Sequence, residues 1–312
     1  GIFSSIPATK LGSYAIKGAI EKCGIDKEII DEVFMGNVLQ ANLGQAPARQ
    51  TALLGGLSEN VCATTVNRVC GSGLKAVMLA DQAIRLSDAE LIFAGGQENM
   101  SLAPHLLKKS RQGLGFGSQK FDDHMQIDGL FDPYNKVPMG TCGDLCAREK
   151  QISRKEQDDF ALESYKRAQR AQKNGDFKDE ILSFLIKEKK SEVLVTQDEE
   201  PFSVKLDKLR TLRPAFDPKE GTVTAANAST LSDGAAGLVL ASEDFARQHK
   251  LTALAKITGQ ASYAHDPKWF TTAPINCIKK LLKKTKLSVK DIDLFEINEA
   301  FSVVTLAAIK EL

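Results

Sequence analysis

The sequence predicts an α/β fold in which a mostly parallel sheet has both faces covered by helices. Two patterns and one compositional fact carry this reading. Helical stripes alternate with short apolar or β-branched runs through residues 1–100, and the alternation resumes from residue 221. Strands separated by helices cannot be joined by tight turns, so their sheet is mainly parallel and buried on both faces. With 43% hydrophobic residues among 312, the chain can build a sizeable interior and more than one packed unit.

The elements follow in order. Pro7 stands at a first helical turn, Leu11, Ala15, Ile16, Ala19 and Ile20 form an apolar stripe, and Gly24 stops the helix. Residues 31–39 read as a strand and 45–54 as a second helix. A β-branched strand through Thr64, Thr65 and Val66 enters a turn around Cys70. A helix over 71–86 follows, with Leu74, Ala76, Val77, Ala80 and Ala83 at its small and apolar positions. Residues 91–96 make a buried strand. From 101 to 216 the texture becomes polar, basic at 106–111 and 187–190 and acidic at Asp198, Glu199 and Glu200. One strongly marked helix lies there, opened by Ser153 with Glu156 as a capping box, stopped at Asn174-Gly175, with Phe160, Tyr165, Ala168 and Ala171 on its inner side. An insertion of this kind is expected to serve as a ligand-binding flap or lid.

The last part reads as a strand and small-residue turn at 221–229, an apolar strand at 237–241, another strand at 255–259 and a helix at 273–284 with Pro274 near its start. Lys279, Lys280, Lys283 and Lys284 are expected on a solvated face of that helix. A faint repeat links the helix, Gly24-Ile25-Asp26, Asp31 and the strand closing on Asn37 to the helix, Leu287-Ser288, Asp291 and an apolar run 292–297 closing on Asn298. The expected domains are 1–100, 101–231 and 232–312, the last an incomplete copy of the first.

Composition narrows the function. A net charge of +1 with 26% charged residues offers no footprint for nucleic acid or an anionic membrane surface. No apolar run approaches the length of a membrane helix and no secretory leader stands out, so a soluble protein is expected. The six cysteines are scattered without a disulfide framework, which suits a reducing compartment: cytoplasm, or alternatively the mitochondrial matrix. Cys142 and Cys146 lack partners at zinc spacing, and no metal site is expected.

Cys70 is the residue around which chemistry can be organised. At a strand-to-helix junction a thiol meets unpaired N–H groups and the positive end of the helix dipole, both of which favour thiolate. Gly71 and Gly73 leave room for an acyl group against the backbone. Spacing alone leaves two readings open, an acyl-accepting nucleophile and an inert cysteine packed as a small hydrophobe.

Five motifs in order carry a resemblance: Asn67-Arg68-Val69-Cys70-Gly71-Ser72-Gly73, Gly95-Gly96-Gln97-Glu98-Asn99-Met100-Ser101, Pro138-Met139-Gly140, the run 221–229 containing Ala225-Ala226-Asn227-Ala228-Ser229, and Asn298-Glu299-Ala300-Phe301. Together they resemble the thiolase family, of the acetyl-CoA acetyltransferase type. The resemblance implies a duplicated αβαβα layered core with an inserted loop domain, and reversible Claisen condensation of two acetyl-CoA to acetoacetyl-CoA and CoA. It implies Cys70 as the acylated nucleophile and Asn298 as the holder of an oxyanion-hole water. It also places Ser229, Ala225, Ala228, Phe216, Lys208, Leu130 and Met139 where the loop domain grips CoA. Coenzyme A is then substrate and product, with no tightly bound cofactor. Some members hold potassium on the carbonyls of the 225–228 turn, but Glu200-Pro201-Phe202 stands where a lining tyrosine is expected. Homo-oligomers, tetramers or dimers, are implied as well.

The family completes its apparatus with a histidine in a Gly-His-Pro motif and a second cysteine in a Gly-Gly-rich turn. Neither motif occurs among these residues; His105, His124, His249 and His265 all lie outside any such motif. The expectation is a chain truncated at both ends that acylates Cys70 slowly and does not turn over. Two further readings stay open: a degradative 3-ketoacyl-CoA thiolase of broader chain length, and a non-catalytic acyl-CoA-binding fragment.

Overall fold

A computed structural model describes residues 1–187 and 192–312. The basic run expected at 187–190 therefore lies outside the described residues apart from Lys187. The chain divides into two compact units, Gly1–Gly129 with Leu231–Ile257, and Leu130–Thr230 with Thr258–Leu312. This division differs from the boundaries expected at 100 and 231. Residues 101–129 stay with the first unit, and 231–257 return to it.

The first unit holds the predicted layers. Helix α1 (Ala8–Cys23) ends on Gly24 in the left-handed conformation, φ 66°. Strand β1 (Glu32–Gly36), helix α2 (Pro47–Leu54), strand β2 (Cys62–Val66), helix α3 (Ser72–Arg85) and strand β3 (Leu91–Asn99) follow in alternation. The last strand, β4 (Asp233–Ala241), completes a sheet of order β4-β3-β1-β2. β1 pairs in parallel with β2 and β3, whereas β4 runs antiparallel to β3 from Asp233 opposite Asn99 to Ala241 opposite Leu91. That full-length ladder is what binds 233–241 to the first unit.

Side-chain alternation along the strands explains the layering. Val33, Met35, Leu91 and Phe93 pack with Ile16 of α1 and Ala48 and Ala52 of α2, while Phe34, Ile92 and Ala94 meet Ala76 and Ala80 of α3 on the other face. Leu74, expected among the inward positions of α3, is 70% exposed, and the buried positions are Ser72, Ala76, Ala80 and Asp81. Small residues, Ala76 and Ala80, thus lie against the sheet and let α3 approach it closely.

The second unit is mainly helical among the described residues: α4 (Met139–Glu149), which the sequence reading did not find, α5 (Arg154–Asn174), α6 (Ala273–Thr285) and α7 (Ser302–Glu311). The Ser153–Glu156 capping box and the Gly175 stop of α5 are present. Its buried side is centred on Gln157, Asp158 and Ala161, with Phe160, Tyr165, Ala168 and Ala171 half-buried. Polar side chains lie inward there because they are needed to hold a loop, described below. Cys146, Val223, Ile275, Phe301, Val303, Val304 and Ala307 form the unit's core.

Three expected strands do not form. Residues 221–229, 255–259 and 292–297 carry no ladder among the described residues. An apolar run becomes a strand only when a neighbour takes its backbone groups, and at 221–229 side chains take them instead. The faint repeat holds through the left-handed helix stops, Gly24 and Lys286, and the 3₁₀ turns Lys27–Ile29 and Val289–Asp291, then diverges where β1 has no counterpart. On α6, Lys280 and Lys284 donate through Nζ to the Ser262 and Gln260 carbonyls at 2.9 and 3.1 Å, so two of the four lysines tie an adjacent segment down.

Candidate active site

In the first unit the turn between β2 and α3 is held almost entirely by its own residues. Asn67 Oδ1 accepts the Val69 N–H at 3.0 Å, and the Arg68 carbonyl accepts the Gly71 N–H at 3.1 Å. Buried Ser72 closes the turn, its hydroxyl donating to the Val69 carbonyl at 2.5 Å and accepting the Arg68 N–H at 2.8 Å. Val69 adopts φ 48°, a left-handed conformation that a β-branched side chain resists, so this latch holds strain of about 1–3 kcal/mol immediately before Cys70.

Glycines seat α3 on the sheet. A Cβ on Gly36, at the end of β1, would lie 2.5 Å from the Gly73 nitrogen and 2.5 Å from the Ser72 carbonyl carbon. Gly73 in turn faces Gly96 of β3, where a Cβ would make ordinary contact at 3.6 Å. Cys70 is thus carried at the carboxyl ends of parallel strands, where α/β sheets place ligands.

The thiol does not behave as the helix terminus alone predicts. Cys70 is exposed as a residue, yet loss of water around its sulfur is the largest influence on it and pushes the thiol up from its ordinary pKa. Its own N–H works in the opposite direction, and the Glu98 carboxylate adds to the rise. Desolvation and the Glu98 charge thus act against thiolate, and the Cys70 N–H acts for it. Glu98 is itself raised, by burial first, against the lowering effects of the Val38 and Leu39 N–H groups, the Asn37 amide and His124.

In the second unit the run 221–229 is fastened by side chains. Asp144 Oδ1 of α4 accepts the Thr222 and Val223 N–H groups at 2.7 and 2.9 Å. Buried Asn227 accepts the Thr224 N–H at 2.8 Å and donates to Asp158 Oδ1 and the Thr222 carbonyl, each at 3.0 Å. Arg154 Nε bonds the other oxygen of Asp158 at 2.7 Å. This network explains the polar buried side of α5.

The expected CoA-gripping residues are partly gathered. Phe301 is their hub: the Phe216 ring meets it edge-on at 6.4 Å, Ala228 forms a β-bridge with it, Met139 packs into the same cluster, and the Ser229 N–H donates to the adjacent Ala300 carbonyl at 2.9 Å. Gly140, buried in the first turn of α4, lies directly against the Phe216 ring, with no room for a Cβ between them. Asn298 is exposed and does not cap α7, whose cap is Phe301. Ala225, Lys208 and Leu130 are exposed and are not among the described residues that cluster around Phe301. Sequence reasoning passed over Asp144 and named Asn227 only as part of the 225–229 motif, without a role for its side chain. All six cysteines are free, and among the described residues no three His, Cys, Asp or Glu side chains gather as a metal set.

The family model described as "Thiolase, N-terminal domain" matches residues 1–244, and "Thiolase, C-terminal domain" matches 251–312. Both family descriptions are therefore represented in the chain. The chain is 50% identical over 312 residues to an acetyl-CoA acetyltransferase of Schizosaccharomyces pombe, covering 99% of this chain and 79% of that protein. It is 47% identical over 309 residues to an acetyl-CoA acetyltransferase of Cupriavidus necator, covering 98% and 78%. Among solved structures, the Acat5 thiolase of Ascaris suum in complex with coenzyme A superposes with a TM-score of 0.94 at 38% identity, covering 99% of this chain and 79% of that one.

Proposed function

Since the chain belongs to the thiolase family, we propose that it is an acetyl-CoA C-acetyltransferase in which Cys70 takes up the acetyl group. The observation that carries this assignment is the latched turn: a strained Val69 and a buried Ser72 hold Cys70 where β2 hands over to α3, with the first turn of that helix pressed onto β1.

The acyl half-reaction follows from this geometry. The thiol loses its proton, the sulfur attacks the thioester carbonyl, the carbon–sulfur bond to CoA breaks, and CoA leaves as its thiol after taking a proton. The α3 N-terminus offers backbone N–H groups to the charge that develops on the carbonyl oxygen. In the condensation half-reaction the methyl group of a second acetyl-CoA gives up a proton, the enolate carbon attacks the Cys70 thioester, the carbon–sulfur bond to Cys70 breaks, and acetoacetyl-CoA leaves as the Cys70 sulfur takes a proton back. Asn298 is the proposed holder of the water that meets the enolate oxygen, and Met139, Phe216, Ala228 and Ser229, gathered at Phe301, are the proposed grip on the pantetheine arm. Ala225, Lys208 and Leu130 are proposed for the outer part of CoA. The similarity to acetyl-CoA acetyltransferases and to a thiolase solved with coenzyme A supports this reading.

Incubation with acetyl-CoA followed by intact and peptide mass spectrometry tests it. The expected outcome is one acetyl group on the Cys70 peptide, lost on addition of CoA and absent in Cys70→Ser. An acetyl label confined to other cysteines, or surviving in Cys70→Ser, would overturn the assignment.

A further inference from the structure

Glu98 lies on β3 just beyond Gly96, and its carboxylate accepts from three donors of the β1–α2 connection. Asn37 Nδ2 donates at 2.8 Å, the Val38 N–H at 2.8 Å and the Leu39 N–H at 3.1 Å. The same connection starts at Gly36, whose α-carbon stands against Ser72 and Gly73, and the Asn37 N–H donates to the Val66 carbonyl of β2 at 3.0 Å. The ends of β1, β2 and β3 are thereby joined within a few residues of the nucleophile. None of the steps assigned above uses Glu98.

We propose that Glu98 is a positioning residue for acyl transfer at Cys70, its carboxylate clamping the 37–39 connection that backs the first turn of α3 and placing a negative charge at the joined strand ends that carry this turn. The inference rests on the reading of Cys70 as acyl acceptor. The groups facing Glu98 are the Asn37 amide, the Val38 and Leu39 N–H groups, His124 and Cys70. His124, itself buried, ties the connection a second time: its Nε2 accepts the Ala41 N–H at 3.4 Å, while its Nδ1 bonds Asp128 at 2.6 Å.

A half-buried carboxylate held by three donors is geometrically stiff, because losing the acceptor would strand two backbone N–H groups. Stiffness here fixes Gly36 and so the seat of α3. The charge acts separately. A carboxylate near a thiol disfavours thiolate, so the sulfur keeps its proton until a base takes it during attack.

Two variants separate clamp from charge. Glu98→Gln removes the charge and leaves one accepting oxygen, its NH2 now facing a donor of the 37–39 connection, whereas Glu98→Asp keeps the charge and both oxygens and shortens the reach, so the contrast between the two reports the charge. Cys70 alkylation by iodoacetamide is followed against pH by peptide mass spectrometry, with exposed Cys23 and Cys62 as internal references, alongside acetyl transfer from acetyl-CoA. In Glu98→Gln the Cys70 alkylation midpoint moves to lower pH and the rate at neutral pH rises several-fold, with the references unmoved. In Glu98→Asp the midpoint stays in place and the acetylation rate falls about tenfold at unchanged KM, a loss of about 1.4 kcal/mol. An unmoved midpoint in Glu98→Gln, or normal acetylation in Glu98→Asp, overturns the proposal. Should Glu98→Gln prove insoluble, the Glu98→Asp arm decides alone. A wild-type chain whose Cys70 accepts no acetyl group defeats the acyl-acceptor reading and is thereby distinguished from failure of the Glu98 role.

Discussion

Gly36 decides more about the setting of Cys70, the proposed nucleophile, than its distance along the chain suggests. Adding one methyl there brings a carbon within 2.5 Å of the Gly73 and Ser72 backbone. Backbone cannot swing aside as a side-chain tip can, so either α3 lifts or β1 shifts. Gly36→Ala is expected to lose about 1–3 kcal/mol, read as a lower denaturant midpoint, and to slow Cys70 alkylation. Unchanged stability and reactivity would show that α3 is not seated through this contact. The position of Cys70 was legible in the sequence, from β-branched residues running into a Gly-Ser-Gly turn. Its electrostatics were not. The helix-terminus argument predicted a favoured thiolate, while the nearby carboxylate arrives from Glu98 on β3, and no local pattern reports a neighbour brought in by sheet pairing.

At the scale of elements, α4 shows what a missed helix can hold. Its glycine- and cysteine-rich sequence has weak helical character, yet Gly140 faces Phe216, and Asp144 fastens the 222–223 backbone. Gly140→Ala must push the Phe216 ring aside. Because that ring can rotate, the expected cost falls on substrate binding rather than on folding: KM for acetyl-CoA rises about tenfold, the equivalent of about 1.4 kcal/mol, with kcat and melting temperature little changed. An unaltered KM would remove Phe216 from the proposed grip. The capping box at Ser153 and the stops at Gly24 and Gly175 could be read locally because caps are local chemistry. The three runs read as strands could not be settled that way. Residues 221–229 satisfy their N–H groups through Asp144 and Asn227, a solution that apolar periodicity does not encode.

For the molecule as a whole, pH dependence follows from how its carboxylates are held. The N–H and hydroxyl of Ser153 keep Glu156 below its ordinary range, the N–H groups of Lys219 and Glu220 do so for Asp217, and the N–H and hydroxyl of Ser288 for Asp291. A carboxyl lowered on folding stabilises the native state above its unfolded pKa and loses that contribution as pH falls. Glu98, raised on folding, has the opposite sign and favours the native state most at low pH. The lowered groups prevail in number, so the melting temperature is expected to be flat near neutrality and to fall below about pH 4. A melting temperature that rises on acidification would contradict this balance. The layered α/β class was legible from alternation alone. The division into units was not, because β4 returns across a long stretch of chain to pair with β3, and such a return leaves no local trace.

The seating of α3 on Gly36 also has a meaning for anyone diversifying this protein. A library aimed at new acyl groups would naturally begin with residues flanking the nucleophile, and every non-glycine choice at 36 would collide with the helix that presents it. Variety at the proposed CoA grip is better sought in the half-exposed side chains around Phe301, where the Phe216 ring can turn.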